Sequence, residues 1–206
     1  SRLAAFIGGF EIRQLSITGS FKVDDLKEAL KEMFRAAGVK GQQIAFLITD
    51  SQIIDDRFLI YINAILARSW ISDLFAKDEV DSLFNAIRNE AKLAGVPDTP
   101  QTLLDFLISR IRANLHCILC FSPVGDTFRV RARRFPGLIS CTAINFFHPW
   151  PREALISVAH RFLGDIEILG DEERTNLSIH MAEEHLSVTA ASLRYLEQQR
   201  RYNYVT

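Results

Sequence analysis

Apolar positions along the chain recur with two periods, and their alternation sets the expected architecture. Leu3, Ala4, Ala5, Phe6 and Ile7 read as a helix that Gly8-Gly9 ends, and residues 10–17 alternate as a strand does. Val23, Leu26, Leu30, Met33, Phe34 and Ala37 return at spacings of mainly three and four, which predicts a helix packed on one face with Gly38 at its stop. Ile44 to Ile48 is an unbroken apolar run, the pattern of a strand covered on both faces. Phe58 to Leu66 predicts an amphipathic helix running towards Trp70. Two further helices, Val80 to Leu93 and Leu103 to Leu115, flank the break Gly95-Val96-Pro97-Asp98-Thr99-Pro100. Cys117 to Phe121 reads as a strand, Phe128 to Arg134 as a basic helix and Ile139 to Phe147 as a last strand. After His148-Pro149-Trp150-Pro151 every pattern is helical: Ala154, Leu155, Val158, Ala159 and Phe162 form one stripe, and Leu177 to Leu193 suggests two more segments. Alternating strands and helices argue for an α/β core with a mainly parallel sheet over residues 1–150, followed by an all-helical subdomain over 151–206.

Composition narrows the function classes. At 206 residues and 48% hydrophobic the chain can bury one substantial core, and its apolar runs are far shorter than the roughly 20 residues a bilayer span needs. No signal peptide pattern opens it, so a cytosolic setting without membrane attachment is expected. A formal net charge of -1 gives no overall attraction for nucleic acid. The one basic segment is short and lacks the interleaved aromatics that stack bases. Cys117 and Cys120 have redox or zinc spacing, but a separation of three along a strand points the sulfurs to opposite faces. His180 and His185 are five apart on a helix and form no zinc motif.

The candidate chemistry sits at Ile44-Ala45-Phe46-Leu47-Ile48-Thr49-Asp50-Ser51-Gln52-Ile53. A buried strand that ends at an acid is how P-loop ATPases deliver a carboxylate to magnesium or to a magnesium-bound water. Asp50 has that place, and its other reading is a cap on the turn that follows. Ser51 stands where a hydrolysing module commonly has Glu, and a hydroxyl is too weak a base at neutral pH to polarise water.

Four landmarks stand in order: Ile44 to Ile53, Cys117 to Gly125, Phe128 to Pro136, and Trp150-Pro151 with the closing Arg200-Arg201-Tyr202-Asn203-Tyr204-Val205-Thr206. Together they resemble a dynein heavy chain, specifically the fourth AAA+ module of its motor ring, and the Thr49-Asp50-Ser51-Gln52-Ile53 form looks axonemal. The resemblance implies a P-loop AAA+ core and a helical lid leading towards a stalk. It places Asp50 at the Walker-B aspartate, a magnesium contact. It places Ser51 at the glutamate position and Ser122 at the sensor position, where hydrolysing modules carry Asn. The implied ligand is ATP or ADP with magnesium, bound without hydrolysis, since base and water-positioning amide are both replaced. A trans-acting arginine finger is expected from the basic segment, with Arg133 the first choice and Arg131 the second, each weighed against a structural ion pair.

No G-x-x-x-x-G-K-[ST] occurs in the sequence; the resemblance puts the phosphate-binding loop and the first strand ahead of Ser1, that strand lying between those of Cys117 and Ile139. The opening residues read as the middle of a helix, so the chain is expected to be a piece of something longer. Alone it is expected to aggregate or to fold loosely, because a sheet without its central strand exposes two unpaired edges. The implied partners are neighbouring AAA+ modules of the same heavy chain, with the microtubule reached only through a stalk beyond Thr206, in the cytoskeleton of a cilium or flagellum. The alternative is a ring-packing module that holds no nucleotide.

Overall fold

The computed structural model describes residues 1–123, 125–166, 170–201 and 203. The chain divides into two compact units, Ser1–Ile144 and Asn145–Thr206. The first unit is built on a parallel sheet in the order β1 (Glu11–Gln14), β2 (Ile44–Thr49), β3 (Leu115–Cys120). With a neighbour on each side, β2 is buried from Ile44 to Ile48, as its unbroken apolar run requires. Glu11 and Leu115 lie opposite Ile44, and Cys120 lies opposite Thr49. The ends of β2 and β3 are therefore level, and the residues after them emerge side by side at one edge of the sheet, where open α/β sheets bind ligands.

Between β1 and β2 run α2 (Val23–Phe34) and a π-helical turn, Arg35–Val39. Following β2, a 3-10 turn at Asp50–Gln52 leads into α3 (Arg57–Arg68), then α4 (Lys77–Leu93) and α5 (Pro100–Asn114), which feeds β3. Chain entry is through α1 (Arg2–Ile7), and α6 (Thr127–Arg134) and the short α7 (Gly137–Ser140) follow β3. Leu26, Leu30, Phe34, Phe46, Phe58, Leu59 and Ile62 are 2% exposed or less and join sheet to helices in one core.

Four sequence expectations change. β1 pairs only over residues 11–14, because the carbonyl of Leu15 accepts the side-chain amide of Gln52 at 2.5 Å, while Leu15 and Ile17 pack on the core. Gly38 does not stop α2 with a positive φ; that conformation falls to Gly41 at φ +66°. Gly38 lies inside the π turn, where a Cβ would stand 2.7 Å from Leu107 Cδ1, so glycine lets α5 come close. Widening leaves carbonyls without helical partners. Arg110 donates to those of Gly38 (2.6 Å) and Val39 (3.0 Å), and Asn114 to that of Ala37 (3.0 Å).

The expected strand over Ile139–Phe147 does not form. Residues 137–140 make α7 instead, and Ile144, Phe146 and Phe147 are exposed. A strand exists only through pairing, and among the described residues no strand pairs with this segment. Local anchoring settles α7: Gly137 N–H donates to Asn63 Oδ1 at 2.9 Å on α3, with Phe135 and Leu138 buried beside it.

The second unit consists of α8 (Arg152–Leu163) against α9 (Asp171–Gln199). The two segments expected after residue 170 are this single helix of 29 residues, which has no Gly or Pro to break it. Asp171, Glu172 and Glu173 in its first turn suit the positive end of the helix dipole. Ala159, Leu163 and Ala182 are buried, and buried Ser178 donates to the Arg174 carbonyl. Of the sequence landmarks, Val124, Tyr202 and residues 204–206 lie outside the described residues. No helix among the described residues is long and apolar enough to cross a membrane.

Candidate functional site

The turn after β2 is closed by Thr49 and Gln52. Gln52 Oε1 accepts from the Thr49 N–H at 2.9 Å and lies 3.2 Å from the Thr49 hydroxyl, while its amide reaches back to Leu15. Gln52 is only 8% exposed, so this amide is a buried clamp between β1 and the β2 turn. The next helix has its own acid, Asp55, which accepts from the Arg57 N–H at 2.8 Å. Asp50 therefore caps neither turn.

Its carboxylate faces sideways across the sheet edge. Asp50 Oδ2 accepts from the Ser122 backbone N–H at 3.2 Å, a contact made available by the level ends of β2 and β3. Asp50 Oδ1 accepts from Arg131 Nη1 at 2.7 Å. The same guanidinium donates through Nε to Asp56 Oδ1 at 3.2 Å, and Asp56 Oδ2 lies 3.4 Å from Arg134 Nη1. Arg131 thus sits between two carboxylates with its side chain 14% exposed, against 38% for Asp50 and 40% for Asp56. Two acids and two arginines balance in charge, which lets the cluster remain half-buried.

The other expected site residues occupy the same edge. Ser51 is exposed, with its hydroxyl 3.0 Å from the Thr49 hydroxyl, in a position that offers no base. Ser122 is joined to Asp50 through its backbone. Of the arginines on α6, Arg131 is turned inward, the ion-pair alternative weighed for it. Arg134 lies over the Phe135 ring and beside Asp56. Arg133 is exposed and forms no hydrogen bond or ion pair among the described residues.

Asp56 and Gln52 were not picked out by sequence reasoning. Gln52 had a signal, the Thr-x-x-Gln spacing of a capping box. Asp56 had none, since its partner Arg131 is 75 positions away.

Magnesium directly on Asp50 does not fit this arrangement, because Arg131 Nη1 already stands 2.7 Å from Oδ1 and a divalent ion there would meet its positive charge. Among the described residues no group of three or more His, Cys, Asp or Glu gathers to hold a metal. The free cysteines form no metal group either: Cys117 is part-buried and desolvation pushes its thiol up to about 12, whereas Cys120 and Cys141 are exposed.

The chain is similar to known proteins along its whole length. The profile of the family described as "P-loop containing dynein motor region D4" matches residues 1–206. The "Dynein beta chain, flagellar outer arm" of Chlamydomonas reinhardtii is 48% identical over 206 residues, all of this chain and 4% of that protein. The "Dynein beta chain, ciliary" of Heliocidaris crassispina is 44% identical and "Dynein axonemal heavy chain 17" of Homo sapiens 43%, each over all of this chain and 5% of the relative. The chain thus spans about a twentieth of the length of the curated relatives it matches.

Proposed function

The chain belongs to the dynein motor region D4 family, and from that premise we propose that it is a nucleotide-binding AAA+ ring module that does not hydrolyse its nucleotide. The family binds ATP or ADP with magnesium, and a nucleotide of that class is the ligand proposed here. The observation that carries the reading is the edge of the sheet beyond β2. Asp50 is held in cis by Arg131, Ser51 follows it with a hydroxyl bonded to Thr49, and Ser122 stands at the facing strand end. On this reading Ser51 supplies no base to activate water, and Ser122 lacks the side-chain amide with which hydrolysing modules orient it. Losing the two functions removes two or more orders of magnitude each, about 3 kcal/mol or more of barrier apiece.

Within the motor, the module's partners are the adjacent AAA+ modules of the same heavy chain. Arg133, exposed near the end of α6, is the arginine proposed to reach the preceding module's nucleotide, a role for which Arg131 is poorly disposed because Asp50 and Asp56 hold it. The helical unit would lead towards the stalk, and the microtubule would be engaged only through it. The names of the relatives point to a cilium or flagellum as the setting.

A second reading, a ring-packing module without nucleotide, is favoured by one observation: the Asp50–Arg131–Asp56 cluster balances its charge from the chain's own residues. Nucleotide retained at Asp50 in the purified heavy chain separates the two. The hydrolysis claim is tested by Ser51→Glu in a heavy chain whose other modules are blocked. Turnover should stay at background because Ser122 still supplies no sensor amide, and hydrolysis assigned to this module in that variant would refute the reading.

A further inference from the structure

We propose that the Arg131 guanidinium takes the place of a divalent cation at Asp50, so that this module accepts the phosphates of its nucleotide without a metal ion on its acidic residue. The inference rests on the reading of the site as nucleotide-binding.

Four features of the site carry it. Asp50 is released from capping, because Thr49–Gln52 closes its turn and Asp55 serves α3. Its side chain is thus free to answer a cation, and the cation it meets is Arg131 Nη1 at 2.7 Å. The guanidinium is fixed from the other side by Asp56 at 3.2 Å, so two carboxylates set its plane and position. The remaining oxygen of Asp50 accepts the Ser122 N–H at 3.2 Å, so each oxygen already has one donor. A divalent ion entering here would have to displace Arg131 from Asp50 and then remain close to its positive charge, two obstacles of the same sign.

Arg131 also has the chemistry to do what the ion does. Guanidinium carries five N–H donors in a planar fork, and only Nε and one position on Nη1 are engaged by the two acids. Its Nη2 has no partner among the described residues and is suited to meet phosphate oxygens. The side chain is largely screened from water at 14% exposure, so its charge is less weakened by solvent than on an open surface. Asp56 is then a positioning residue: it touches no ligand but keeps Arg131 on Asp50.

The test uses electron cryomicroscopy of the full heavy chain with ADP, once with EDTA and once with magnesium, comparing the wild type with Arg131→Gln and Arg131→Lys. The expected wild-type result is ADP in this module at equal occupancy under both conditions, with Arg131 on Asp50 and no metal peak there. Arg131→Gln should lose ADP in EDTA and recover it with magnesium, now with a metal peak at Asp50. Arg131→Lys should retain the greater part of the metal-independent occupancy. A metal peak on Asp50 in the wild type with Arg131 displaced, or ADP that requires magnesium there, overturns the proposal while leaving nucleotide binding intact. A wild-type module empty under both conditions overturns the proposal and the nucleotide-binding reading together.

Discussion

Arg110 and Arg131 are both part-buried arginines drawn inward by neighbouring elements, yet they answer different needs. Arg110, on α5, bonds the carbonyls of Gly38 and Val39, and also pairs with Glu90. It satisfies backbone groups that the π turn would otherwise strand, so the seam between that turn and α5 is a device of folding. Arg131, on α6, bonds no backbone among the described residues. It answers two carboxylates, Asp50 and Asp56, that no turn or helix needs for capping. An arginine that completes a backbone is part of the scaffold; one that holds unemployed acids at the open end of a parallel sheet is part of a site.

The contrast can be broken first at Gly38. Gly38→Val puts methyl groups where Leu107 and Ile111 already lie, and should lower the opening free energy of the seam by about 3 kcal/mol, measured as faster amide exchange over residues 35–39 and α5 in the full heavy chain. Arg110→Ala should act in the same place and direction by about 1–3 kcal/mol, from carbonyls left without donors. Arg131→Gln should change exchange there by less than about 0.5 kcal/mol, since the two sites share no element. Equal effects of the two arginine substitutions on the seam would erase the distinction between scaffold and site.

The smallest expected effect is one of pH. The carboxyl of Glu79 is held below its ordinary value, first by the backbone N–H of Ala76 and then by Lys31. A depressed carboxyl contributes stability that is present above the ordinary carboxyl range near 4.5 and is lost as pH falls through the lower folded value. Protection of the first turn of α4 should therefore decline as pH drops below about 4.5, and Glu79→Gln should remove that dependence.

Much of the fold was legible because it is local. The unbroken Ile44–Ile48 run and the one-sided stripe of α2 each carry their outcome in neighbouring residues. What failed depended on distant partners. Ile139–Phe147 alternates well enough for a strand, but pairing is a property of two segments, and Asn63 on α3 recruits Gly137 into a helical turn instead. Gly38 looked like a stop because close approach of Leu107 is invisible along the chain. Within α9 the polar Glu183-Glu184-His185 stretch blurs the apolar period although nothing there breaks a helix. In the site, the positions of Asp50, Ser51 and Ser122 followed from strand ends. The inward turn of Arg131 did not, because it is fixed by Asp56 across the fold.

The most direct measurement is phosphate release by a heavy chain in which hydrolysis at every other module is blocked, taken with and without Asp50→Asn. The account predicts background release in both, since Ser51 supplies no base and Ser122 no amide for the attacking water. Release above background that Asp50→Asn abolishes would contradict it and make this module a working ATPase.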